Sequence, residues 1–177
     1  MDISRFHGII GPPRRNGDVD RDWTDFEQRI SLRLPADYKN FISVYGSGCL
    51  NNQFLLFHPK GDLENGLNID LLLRSAYSAY STLAERSPEL KPFPLHPERG
   101  GCIAIGRSHG GNYLFLSPPG PECSRWRVVV EMGEWVTFDM SFTEFLWKAL
   151  NDEIYLPVIE GKPSFDPLGA IDSADEN

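Results

Sequence analysis

Leu34-Pro35-Ala36-Asp37-Tyr38-Lys39-Asn40-Phe41, running on into Tyr45-Gly46-Ser47-Gly48, is the stretch on which the fold turns. Pro35 suits the first turn of a helix, where a missing N–H costs nothing and the fixed φ is already helical. Tyr38, Phe41, Ile42 and Tyr45 recur at spacings of three and four, which lays one apolar stripe along that helix. Gly46 can take the left-handed conformation that ends it. Just upstream, Trp23, Phe26 and Ile30 repeat the pattern. Two helices, near 22–31 and 35–45, are therefore expected in immediate succession, and their aromatic residues read as core before they read as a ligand box.

Downstream the periodicity changes. Gln53-Phe54-Leu55-Leu56-Phe57 is short, apolar and closed by His58-Pro59, as a buried strand would be. Asn68 can cap a third helix over 68–86, with Ile69, Leu72, Leu73, Ala76, Tyr77, Tyr80 and Leu83 on one face and Pro88 as its stop. The prolines at 92, 94 and 97 make 90–101 a loop. Cys102–Ile105 and Tyr113–Leu116 then flank Gly110-Gly111, and Trp126–Val130 and Trp135–Phe138 flank Met132-Gly133. Both glycine pairings predict tight reversals between antiparallel strands. Ser141-x-x-Glu144 is a capping box that opens a fourth helix over 141–151, with Phe142, Phe145, Leu146 and Leu150 as its apolar side. The result is an α+β domain, a central antiparallel β-sheet packed with about four α-helices. Residues 1–20, with Gly8, Gly11, Pro12, Pro13 and Gly17, are expected as an irregular arm. Residues 21–159 form the domain, and 160–177 an acidic, mobile tail.

Composition narrows the chemistry. A chain of 177 residues with 41% hydrophobic content can bury one substantial core. Nothing in it approaches the roughly 20 consecutive apolar residues of a membrane span, and Met1–Gly11 lacks the apolar core of a secretory signal, so a cytoplasmic protein is expected. Cys49, Cys102 and Cys123 are odd in number and widely spaced, which reads as reduced thiols rather than a disulfide framework or zinc site. His7, His58, His96 and His109 are dispersed, so no metal or other cofactor is expected. The glycines of 46–48 and 106–111 lack the arrangement of a phosphate cradle and read as turns.

Net charge is −8, and its location matters more than its total: residues 121–177 hold 12 Asp and Glu against 4 Lys and Arg. That balance argues against direct nucleic-acid binding and favours steering toward a basic partner. Glu131 and Glu134 stand at the shoulders of the second hairpin turn. Spread across a turn they read as solvated groups rather than as the paired carboxylates of a glycosidase cleft.

Three stretches carry a likeness to a known family. The segment Leu34–Phe41 following Trp23-Thr24-Asp25-Phe26-Glu27, the hairpin Ile105-Gly106-Arg107-Ser108-His109-Gly110-Gly111-Asn112-Tyr113-Leu114-Phe115-Leu116, and the helix Phe142-Thr143-Glu144-Phe145-Leu146 together resemble the SUKH superfamily, the Smi/Knr-like family. The likeness spans roughly residues 22–151, with Asn112 and His109 standing where the family is commonly acidic. The resemblance implies a binding domain without catalytic residues. It is of the type that in bacteria acts as an immunity protein, neutralising a cognate polymorphic or contact-dependent toxin, often a nuclease, by stoichiometric binding. An acidic face would then occupy the basic groove with which a nuclease holds phosphates, with the inhibitor a monomer or weak homodimer.

On this reading Glu131, Glu134, Asp139, Asp152 and Glu153 supply the charge. Trp135 and Tyr113 are candidate aromatic anchors if exposed, and core residues if not. Two alternatives stay open: an intracellular scaffold or regulatory module of the same fold, and a cysteine-dependent hydrolase in which His58 or His109 approaches Cys49.

Overall fold

A computed structural model of the chain describes residues 2–13, 20–60, 67–121 and 123–168. Its helices are α1 (His7–Ile10), α2 (Asp20–Ile30), α3 (Ala36–Tyr45), α4 (Ile69–Ala84) and α5 (Phe142–Leu150). Its strands are β1 (Gly48–Leu50), β2 (Phe54–Leu56), β3 (Ile103–Ser108), β4 (Tyr113–Ser117), β5 (Arg127–Glu131), β6 (Trp135–Phe138) and β7 (Phe165–Pro167). All seven strands join one antiparallel sheet in the order β6-β5-β4-β3-β2-β1-β7, so the protein is a single α+β domain.

The helices form where side chains satisfy their ends. Gly46 closes α3 at φ +79°, its N–H donating to the Ile42 carbonyl over 2.7 Å. Asn68 accepts from the N–H groups of Asp70 and Leu71, at 3.0 and 3.3 Å, at the start of α4. Ser141 accepts from Glu144 N–H at the start of α5. There a second acceptor, a carboxylate, arrives from another helix, since Asp37 of α3 accepts from both the N–H (2.8 Å) and the hydroxyl (3.1 Å) of Thr143. The first-turn N–H groups of α5, which have no partner within the helix, are thus capped partly by α3, which fixes how the two helices pack.

Trp135 and Phe138 lie three residues apart on β6 and so point to opposite faces of the sheet. Tyr80 of α4 meets the Trp135 ring at 4.9 Å, and Phe145 of α5 meets Phe138 at 5.1 Å. The sheet is therefore covered on both sides, and this is why every residue of β4 is buried. On the α5 side, Phe41 is the hub. It is fully buried and contacts Phe6, Tyr45, Phe142 and Phe165 at ring-centre distances of 5.2, 4.9, 5.7 and 6.1 Å.

Three expectations are corrected. The start of the chain is not irregular throughout: Ile3–Phe6 is a 3₁₀ turn, capped by Asp2 accepting from Ser4 N–H at 2.9 Å, and it leads directly into α1. Burial of Phe6 against Phe41 and Trp147 supplies what the local sequence does not. Residues 14–19 of the expected arm lie outside the described residues. The second hairpin turn, expected as the two residues Met132-Gly133, has three, Met132 to Glu134, between the paired Glu131 and Trp135, with Gly133 at φ +85°. Finally, Phe165–Pro167, expected in the tail, is paired with β1. Residues 169–177 of that tail are outside the described residues.

Beside the β1–β7 ladder, one buried amide ties down the return of the C-terminal segment at two points. Asn51 donates from Nδ2 to the Ile159 carbonyl at 2.8 Å and accepts from Ser164 N–H at 2.9 Å. Asn51→Ala is expected to cost about 1–3 kcal/mol by leaving both backbone partners unpaired. Amide exchange should accelerate selectively in β7. Uniform protection across the sheet in the variant would show that Asn51 does not hold this segment.

Candidate functional site

Antiparallel register places Tyr113, Glu131 and Trp135 directly opposite one another on β4, β5 and β6. Opposed residues share a face, here the one beneath α4. Tyr80 descends from that helix into the row: its ring meets Tyr113 at 5.7 Å and Trp135 at 4.9 Å, and its hydroxyl donates to Glu131 Oε2. Burial, together with the charge and hydrogen bond of Glu131, pushes the Tyr80 phenol far above its usual range, so it stays a donor. The other oxygen of Glu131 accepts from Gly133 N–H at 3.0 Å and shapes the turn. Trp135 stacks on Phe115 at 5.2 Å, and its indole N–H donates to the Leu90 carbonyl at 3.1 Å, which holds the 88–90 segment over the sheet edge.

These contacts leave a groove of about 380 Å³ between the end of α4, the 88–92 segment and the 132–134 turn, lined by Tyr80, Leu83, Glu89, Leu90, Glu131 and Trp135, among others. Glu134 also lines it. Leu83 and Leu90, large aliphatic side chains, are 45% and 43% exposed there. Among the described residues no Lys or Arg forms an ion pair with Glu89, Glu131 or Glu134. The site therefore couples three uncompensated carboxylates to exposed aliphatic surface and to a ring held by packing. Such a surface suits a cationic protein element with an apolar stem.

The expected site residues divide. Glu131, Glu134 and Trp135 come together in the groove, with Trp135 partly buried rather than freely exposed. Tyr113 is only 6% exposed, so it is not a surface anchor: it supports Tyr80 and Phe115 from below. Asp139 lies past the far end of β6 and is held by Arg125, whose Nε donates to Oδ1 at 2.9 Å and whose Nη2 lies 2.8 Å from Oδ2. That guanidinium keeps the Asp139 carboxyl below its usual range. Asp152 and Glu153 are exposed just beyond α5, whose nine residues span about 13 Å.

Tyr80, Leu83, Glu89 and Leu90 were not legible as site residues. The first two read as part of a helical stripe and the others as loop, and about fifty residues of sequence separate them from the turn they meet.

Cys49 Sγ lies 3.9 Å from His109 Nε2, whereas His58 packs on Trp23 and accepts from Lys60 N–H. Proximity alone does not make a nucleophile. Burial, reinforced by the charge of Asp166 opposite on β7, pushes the Cys49 thiol up, while a catalytic thiol needs the opposite shift. Cys102 is raised further, to about 11, by burial. Among the described residues no group of three or more His, Cys, Asp and Glu is placed to hold a metal ion. Nor is any of their helices long and apolar enough to cross a membrane.

Residues 20–148 match the family model described as the SMI1 / KNR4 family (SUKH-1). No curated protein and no solved structure matches the chain.

Proposed function

Because the chain belongs to the SMI1 / KNR4 family (SUKH-1), we propose that it is a cytoplasmic, non-catalytic immunity protein that neutralises a cognate bacterial toxin by stoichiometric binding. The observation that carries this reading is the groove in which Glu89, Glu131 and Glu134 surround Trp135, Leu83 and Leu90. A nuclease toxin must present Lys and Arg to hold phosphates, and those side chains combine a cation with an aliphatic stem. The carboxylates attract the heads and raise the association rate; the leucines and the indole bury the stems. Because the Trp135 indole and the Tyr80 hydroxyl already have hydrogen-bond partners, their geometry is set before the partner arrives, which reduces the ordering cost of binding.

The test is a binding titration between the full chain and the C-terminal domain encoded by the adjacent gene, with that domain's toxicity scored in the same cells. One-to-one binding with rescue supports the proposal; binding to neither that domain nor any other toxic domain, with no rescue, ends it. In the same assay Cys49→Ala is expected to leave affinity and rescue unchanged. Loss of rescue with binding retained would instead favour thiol chemistry at Cys49.

A further inference from the structure

A second depression, of about 550 Å³, lies along the first half of α4, away from the end that borders the acidic groove. Its size falls in the range that accommodates small molecules. Ile30 of α2 and Leu73 of α4, both buried, give it an apolar floor. Its polar rim is unevenly satisfied. Arg29 and Asp70 pair across α2 and α4 at 2.6 Å. Arg74, one helical turn beyond Asp70, is exposed and has no hydrogen-bond or ion-pair partner among the described residues. His96 enters from the loop before β3, half-buried, and its ring nitrogens likewise have no hydrogen-bond partner among the described residues. Two guanidiniums against one carboxylate make this depression locally positive on a chain of net charge −8.

We propose that this depression binds a small organic anion, a carboxylate or phosphate ester carrying an apolar body. Arg74 engages the anionic oxygens, His96 donates one ring N–H, and Ile30 and Leu73 receive the apolar part. A guanidinium supplies paired N–H donors in the plane a carboxylate or phosphate presents. The Arg29–Asp70 pair forms the fixed wall beside them. Burial lowers the His96 pKa, so at neutral pH the imidazole acts as a neutral donor. This site is separate from the acidic groove and does not depend on the identity of the toxin.

The test is an NMR titration of the full chain with benzoate, phenyl phosphate and, as a neutral control, benzyl alcohol, following the His96 ring and the Ile30 and Leu73 methyl groups. At least one anion is expected to give saturable shifts at all three residues, and the anion that binds more tightly identifies the head group. Benzyl alcohol is expected to leave them unmoved. Arg74→Gln, at an exposed position, should weaken anion binding about tenfold. Absence of saturable shifts with both anions, an equal response to benzyl alcohol, or unchanged affinity in Arg74→Gln would each overturn the proposal.

Discussion

The double variant Glu89→Lys, Glu134→Lys is expected to bind the proposed toxin partner about a hundredfold more weakly than the natural chain, since placing like charges opposite one another costs several kcal/mol. Both side chains are exposed and neither forms an ion pair among the described residues, so the change should leave the melting curve intact. Glu131 is deliberately spared. It accepts from the Tyr80 hydroxyl and from Gly133 N–H, and its reversal would strip the phenol of its acceptor and disturb the turn along with the charge. The signature to look for is a change in salt dependence. Affinity of the natural chain should fall as ionic strength rises, and the variant should lose or invert that slope. Equal affinity and an unchanged slope in a normally folded variant would remove the acidic groove from the interface, while leaving membership of the family untouched.

The second large effect concerns stability. Phe41→Ala is expected to cost about 3–5 kcal/mol and to lower the melting temperature by about 10 °C or more. The ring is fully buried, and its four aromatic neighbours come from the N-terminal 3₁₀ turn, α3, α5 and β7. Those elements are also held to one another by the Phe6–Trp147, Tyr38–Phe142 and Tyr45–Phe165 ring contacts, so they cannot easily close over the void, and the cost should fall at the upper end. Urea denaturation measures it, and a loss below about 1 kcal/mol would mean that the surrounding rings repack.

The elements that could be read from the chain are those with enough residues to show a period and a residue to stop it. The helices expected at 22–31, 35–45, 68–86 and 141–151 occur at Asp20–Ile30, Ala36–Tyr45, Ile69–Ala84 and Phe142–Leu150. Gly46, Asn68 and Ser141 made their ends legible, and each acts in the structure as a cap. By contrast, β1 and β7 have three residues each, too few for an alternating pattern, and β7 exists through pairing with a strand more than a hundred residues upstream. Tyr113 deceived for a related reason. On a sheet covered by helices on both faces, alternation no longer separates inside from outside, so a strand tyrosine carries no sign of its burial. At the groove, Glu131 and Glu134 were visible because a hairpin turn announces itself locally. Tyr80 was visible only as one more member of a helical stripe, and its bond to Glu131 is a fact of tertiary packing that no window of sequence contains.

The pairing of β7 with β1 also sets an order in time. When Gly48–Leu50 leaves the ribosome, the strand that will cover its outer edge is still to be synthesised, and at cellular rates residues 51–164 take roughly ten seconds to make. Through that interval the nascent chain offers an open strand edge, the kind of template on which neighbouring chains aggregate. The fit that finally closes it is tight, because any side chain at Gly48 would meet the Phe165 ring at 2.5 Å and the Asp166 carbonyl at 2.6 Å. Closure of that edge therefore waits until Phe165–Pro167 has cleared the ribosome, and chains truncated before Phe165 should keep it open and be taken up by chaperones or proteases.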